Sequence, residues 1–374
     1  MTRVPLSILD LSPVPSGGTP GQALRDSLDL VRRAEEFGYH RYWFAEHHLA
    51  AGVAGSAPQI LIALAAAATS RIRVGSGAVQ TGHWTPLAIA EQFATIDALY
   101  PGRVDLGIGR SGQRRKEITA RAAAPPPSRE RHVVDGLLIP EPFDFRYLAT
   151  SPVVEVYQAA LQQPGAEAPQ FGDLVDDLVG LLDGTYRSPA GTPARSVPGA
   201  GHALELWILG STAGESARVA GERGLPFAAN YHVSPATVLE AVDAYRSAFK
   251  PSGVLDAPHV LVSADVVVAG TDAEARELAT GYAAWVHSIW TGQGAVPFPT
   301  PQEAAAHPWD EESRRLVKAR VDTQFTGAPA TVLERLETLR RVTGADELLV
   351  TTITHDHADR VRSYALLAEA WREG

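Results

Sequence analysis

Short apolar runs alternate along this chain with longer stretches in which apolar residues recur near every third or fourth position. The first kind reads as buried strand, the second as helix with one covered face. Leu6-Ser7-Ile8-Leu9 opens the series as a first strand. Residues 22–37 follow, with Leu24, Leu28, Val31 and Ala34 at helical spacing and Gly38 placed to cap the end. The second strand spans 41–45, the third 71–79 and the fourth 104–108, the last preceded by a Pro101-Gly102 turn. Pro58 opens an alanine-rich helix over 58–69 and Pro86 opens another over 86–99, since proline suits a first helical turn.

Regularity lapses over residues 112–203, which contain Pro125-Pro126-Pro127, Pro140, Pro142, Pro164, Pro189 and Pro198. Two helical stretches survive there, at about 151–162 and 171–183. The alternation resumes with strands at 204–209, 226–230, 259–269 and 347–352, and with helices at 214–223, 235–249, 329–342 and 357–372. A second excursion, 271–327, holds a helix at 272–291 and a loop from Gly292 to Pro301. Eight strands alternating with about eight helices predict an α/β fold, a (β/α)8 TIM barrel. Its insertions fall after strand four (about 112–203) and strand seven (about 271–327), within one domain over 1–374. The rival is an open doubly wound sheet, whose G-x-G-x-x-G turn is missing; Ser16-Gly17-Gly18 does not fit it.

Composition narrows the chemistry. The 374 residues, 45% apolar, are ample for one large core. There is no cysteine, so disulfides, zinc-thiolate sites and thiol nucleophiles are out. A net charge of −10 argues against nucleic acid, which needs a basic footprint. The aliphatic run Ile60 to Ala68 falls far short of the roughly 20 residues of a membrane span. The N-terminus carries no apolar signal-peptide core, so a cytoplasmic protein is expected, with no membrane partner.

The second strand stops at Glu46-His47-His48, delivering a carboxylate and two imidazoles to the C-terminal edge of a parallel barrel, where catalytic groups gather. Alternation turns the two histidines to opposite faces, so one of them faces the mouth, and histidine moves protons near neutral pH. Strand three ends Gly75-Ser76-Gly77-Ala78, small residues that leave room for a flat group or allow close packing of neighbours. Strand five runs into Gly210-Ser211-Thr212-Ala213-Gly214-Glu215-Ser216, a loop opening a helix. That arrangement suits a phosphate, with Ser211, Thr212 and Ser216 as donors and Arg110 supplying charge from neighbouring strand four. It also suits a plain turn with a serine cap. His355-Asp356-His357 reads as a helix cap at Asp356 in preference to a metal site. Trp285, Trp290, Phe298 and Trp309 in the second excursion form either a substrate wall or the packing of a long insertion.

These pieces carry a resemblance. Trp43 to His48, Val74 to Val79, Gly102 to Arg110, Gly224-Leu225-Pro226 and Gly327-Ala328-Pro329 occur together and in order. In this the chain resembles the bacterial-luciferase-like, flavin-dependent monooxygenases. The resemblance implies a barrel that binds FMN at its mouth, with His47 as the active-site histidine. It puts Arg110, Ser211, Thr212 and Ser216 at the FMN phosphate and Gly77-Ala78 at a cis peptide beside the flavin ring. It further implies reduced FMN from a separate flavin reductase, molecular oxygen, a small organic substrate, and a homodimer through helices 58–69 and 86–99. In that interface Ala63 and Ala65 to Ala68 would allow close approach. Gly109 stands where bacterial luciferase has a cysteine, and the segment after Arg110 is unlike luciferase, so aldehyde chemistry and light emission are not implied. A deazaflavin-dependent dehydrogenase on the same fold and a flavin-binding protein without catalysis are the alternatives.

Overall fold

A computed structural model describes residues 3–110, 129–144, 156, 159–161 and 169–373. In chain order the strands are β1 (Leu6–Asp10), β2 (Arg41–Phe44), β3 (Arg73–Ser76), β4 (Val79–Gln80), β5 (Val104–Gly109), β6 (His132–Val134), β7 (Leu137–Ile139), β8 (Glu205–Gly210), β9 (Phe227–Asn230), β10 (Val260–Val268), β11 (Phe325–Gly327) and β12 (Glu347–Thr351). The helices are α1 (Pro20–Phe37), α2 (Pro58–Ala68), α3 (Pro86–Leu99), α4 (Phe171–Asp183), α5 (Glu215–Glu222), α6 (Val238–Ala248), α7 (Asp272–Leu278), α8 (Gly281–Trp290), α9 (Pro301–Ala305), α10 (Glu311–Thr323), α11 (Pro329–Thr343) and α12 (His357–Glu373). The helix expected at about 151–162 lies largely outside the described residues, as does the triple proline.

Strands β1, β2, β3, β5, β8, β9, β10 and β12 pair in that order, all parallel, and β12 returns to β1. The closed eight-stranded (β/α)8 barrel expected from the alternation is what the chain forms. Both insertions fall where expected. The first includes the β6–β7 hairpin, turned by Asp135 (φ 46°) and Gly136 (φ 90°), the left-handed pair a two-residue hairpin needs. The second contains α7 to α10 and ends in β11, which pairs with the far end of β10.

Alternation sorts the strand residues. Tyr42 and Phe44 join the layer between sheet and helices, while Trp43 turns inward to meet Trp207 at 5.3 Å. Gly75 and Gly107 make that layer possible: a Cβ on Gly75 would lie 2.9 Å from the Trp43 ring, and one on Gly107 would lie 2.1 Å from the Ser76 carbonyl oxygen. Two residues earlier on each strand, the inward positions are charged. Arg41 binds Glu347 (3.1 Å), Asp105 (2.9 Å) and Glu205 (2.8 Å), and Trp43 Nε1 donates to Asp105 (2.9 Å). This ionic layer floors the barrel. At the opposite, C-terminal end, Tyr282, Trp285, Trp290 and Phe298 from the second insertion join the interior cluster and roof it.

Candidate active site

The end of β2 divides its two histidines. His48 Nε2 lies 2.8 Å from the Glu46 carboxylate, and its ring meets His83 edge-on at 5.5 Å. His47 is fixed through its backbone N–H, which donates to the Gly55 carbonyl at 2.8 Å. Its Nδ1 is enclosed with no partner among the described residues. Burial, with His48 adding to it, pushes the His47 imidazole down to about 4, so the ring is neutral at ordinary pH.

Beside His47 runs the ledge of small residues. The peptide between Gly77 and Ala78 is cis, as the resemblance implied. Gly77 has no room for a side chain, since a Cβ would lie 2.7 Å from Leu9 Cδ1. Gly109, at the end of β5, would bring a Cβ to 3.4 Å from that of Ala78, so the two residues are neighbours on adjoining strands. The two explanations for small residues therefore split by position. Gly75 and Gly107 serve packing inside the barrel, whereas Ala78 and Gly109 line its rim.

Arg110 follows directly. Its Nη2 lies 2.9 Å from Glu215 Oε2, the first residue of α5, and its guanidinium sits 5.8 Å from the Phe171 ring. The loop after β8 and the arginine after β5 are thus brought together, as their neighbouring strands require. Glu215 was not foreseen as a partner of Arg110. The α5 N-cap is Gly214, with no side-chain cap, so the serine-cap alternative does not describe this turn. Ser211 and Ser216 are both buried, and Thr237 Oγ1 anchors the loop through the Ser211 carbonyl. A Cβ on Gly210 would lie 2.9 Å from Ser216 Cβ, which packs the start of the helix onto the strand.

Three further residues escaped the sequence reading: His232, Arg320 and Phe143, the last as partner of the expected Trp290. His232, just past β9, has Nδ1 2.5 Å from Ser263 Oγ. Burial, the Arg320 charge and nearby His47 push it down to about 3. Arg320, on α10, reaches back to β10: Nη2 lies 3.2 Å from Asp265 Oδ2 and 2.8 Å from the Tyr282 hydroxyl, which itself donates to Asp265. Trp290 stacks on Phe143 at 3.6 Å, joining the two insertions. Trp309 is partly buried at the edge of this cluster, where it meets His287 and His307.

The histidines after β12 are engaged elsewhere. His355 Nε2 lies 3.0 Å from the Ser16 carbonyl and His357 Nε2 lies 3.1 Å from Asp29, while Asp356 accepts from the Ala358 N–H at 2.7 Å. Among the described residues no group of three or more His, Cys, Asp or Glu is arranged to hold a metal ion, and no helix is long and apolar enough to cross a membrane.

Residues 4–347 match the model of the family described as luciferase-like monooxygenase. The uncharacterized protein YvbT of Bacillus subtilis (strain 168) is 38% identical over 370 residues, 98% of this chain and 96% of its own. A luciferase-like monooxygenase of Escherichia coli (strain K12) is 32% identical over 370 residues, 99% of this chain and 98% of its own. The crystal structure of apo-MsnO8 is similar over 99% of this chain and 98% of its own, with a TM-score of 0.77 and 32% identity. The fold is also that of the oxygenating constituent of 3,6-diketocamphane monooxygenase of Pseudomonas putida in complex with FMN (TM-score 0.63, 20% identity, 99% and 98% covered). Barrel, strand-end residues and whole-length similarity together place this chain in the luciferase-like monooxygenase family, as a monooxygenase enzyme.

Proposed function

We propose that the chain is the oxygenating component of a two-component system, acting as one unit over its 374 residues in the cytoplasm. It takes reduced FMN from a separate flavin reductase and oxygenates an organic small molecule. The observation that carries this reading is convergence. Arg110 and the Ser211–Ser216 loop meet at one point of the rim, the Ala78–Gly109 ledge adjoins them, and His47 stands at the next strand end.

The residues fit FMN. Arg110 matches a phosphate in charge, and Ser211, Thr212, Ser216 and the start of α5 supply donors. The Arg110–Glu215 pair holds the guanidinium toward the loop in readiness. The ledge at Gly77, Ala78 and Gly109 has too little side chain to obstruct a flat ring. When bound, reduced FMN supplies the electrons that activate molecular oxygen.

The chain's own residues do the rest. His47, neutral at working pH, takes or returns a proton through Nε2. The aromatic roof of Tyr282, Trp285, Trp290 and Phe298 keeps water from the interior and suits a large, apolar, aromatic substrate. Two copies pair through α2 and α3.

Arg110 gives the direct test. Arg110→Ala weakens reduced-FMN binding by about 1.5–3 kcal/mol, the usual worth of a hydrogen bond to a charged group. Reduced riboflavin, which lacks the phosphate, binds the variant as it binds the wild type. Anaerobic equilibrium dialysis measures both. Equal loss for the two ligands removes Arg110 from the phosphate seat.

A further inference from the structure

Glu46 is 3% exposed, and its carboxylate receives three donors or partners from three places. His48 Nε2 lies 2.8 Å from Oε1, Trp84 Nε1 donates to Oε1 at 3.1 Å, and the Gln80 backbone N–H donates to Oε2 at 2.8 Å. The contact is returned on the main chain, where Gln80 Nε2 donates to the Glu46 carbonyl at 2.6 Å. Gln80 in turn lies 3.0 Å from His83 Nε2 through Oε1, and His83 backs the His48 ring.

This network sits between the two parts of the mouth that face a flavin ring. On one side Glu46 is the residue before His47. On the other, Gln80 stands two residues past Ala78, and β4 pairs with β5 at Gln80 and Gly109. Thr81 Oγ1 adds a bond to the Gly109 carbonyl at 3.0 Å. Strand β2 ends at Phe44, where the Gly77 N–H donates to the Phe44 carbonyl at 2.8 Å, and past that point no ladder is left between β2 and β4. A single buried carboxylate takes its place.

We propose that Glu46 is a positioning residue: through Gln80, Trp84 and His48 it locks the His47 strand end to the Gly77–Ala78 ledge and sets the distance between them. The proposal rests on the flavin reading above. It also explains the sorting of the histidines, because the carboxylate takes up His48 Nε2. A small displacement of reacting groups costs rate out of proportion to its size, which is why such a lock matters.

The test compares reduced FMN and reduced riboflavin, under argon, on wild type, Glu46→Gln and Gln80→Ala. Glutamine keeps one acceptor oxygen and so, in either orientation, presents its amide N–H to a donor that needs an acceptor, the Gln80 N–H or the Trp84 N–H. Affinity for both flavins is expected to fall about ten-fold in Glu46→Gln, with the FMN-to-riboflavin ratio unchanged, since the phosphate seat is untouched. Visible circular dichroism of the bound flavin, which reports the surroundings of the ring, is expected to change. Gln80→Ala shifts both readouts in the same direction and less, and decides the matter if Glu46→Gln does not fold. Loss of thermal stability alone, with affinities and dichroism as in wild type, overturns the positioning role. So does a changed FMN-to-riboflavin ratio. Failure of wild type to bind either flavin overturns the cofactor reading and this proposal with it.

Discussion

His47 and His48 are identical side chains on consecutive residues, and what each ring touches separates them. His48 Nε2 is paired with Glu46, whereas His47 Nδ1 is enclosed without a partner among the described residues. His47→Ala is expected to fold and to bind FMN, because the phosphate seat lies on other strands. Product formation should fall by ~10²–10⁴, the range for a positioned acid–base group, while His48→Ala does much less. The pH dependence has a definite sign. In the unfolded chain the imidazole takes its proton near 6.5, and in the folded chain only near 4. Below 6.5 the unfolded state therefore binds more protons, so stability falls as pH falls across that window. His47→Ala flattens that decline in urea titrations, and in wild type the acid limb of activity due to His47 lies near pH 4. Alternation at a strand end made His47 legible in the sequence. His232 was not, because it stands in a loop two residues past Asn230 with no motif around it, and only folding brings it near His47 and Arg320.

Among the elements, the second insertion is tied to the barrel by a buried ion pair. Arg320 and Asp265 are each 7% exposed in their side chains, and Tyr282 bonds to both. Removing one member of such a pair strands the other, so Arg320→Ala should cost about 3–5 kcal/mol in denaturant unfolding. A change within 0.5 kcal/mol would mean that the roof is held by packing alone. The order and type of the barrel's own elements were readable because strand and helix periods differ so plainly, whereas α9, α10, β11 and the β6–β7 hairpin of the insertions were not. Breaks within elements were less readable. The strand expected at 71–79 is interrupted between β3 and β4 by Gly77 and Ala78, and the helix expected at 272–291 divides into α7 and α8. At that division Gly281 packs so closely that a Cβ would meet Phe298 and the Pro299 carbonyl oxygen at 2.8 Å, a tertiary demand that local pattern does not record. Arg320 likewise belongs to an ordinary amphipathic helix, and its partner lies 55 residues away.

For the molecule as a whole, the barrel buries most of its apolar surface but leaves part of α2 and α3 uncovered. Ile60 is 62% exposed, Leu64 48% and Leu87 45%, and Ile60 and Leu64 share a helix face. Ala65 and Ala66, expected to face a second copy, pack inside instead, so the outward face is set by Ile60, Leu64 and Ala67. Sedimentation at micromolar concentration should find a dimer, and Ile60→Glu with Leu64→Glu should dissociate it; a monomeric wild type refutes the pairing. Reduced FMN, reduced riboflavin and the reduced deazaflavin cofactor are each titrated into the wild-type protein under argon. Saturation is expected near one FMN per chain, with FMN bound at least about ten-fold more tightly than riboflavin because of its phosphate and preferred over the deazaflavin. No saturable FMN binding, or preference for the deazaflavin, would contradict the FMN reading.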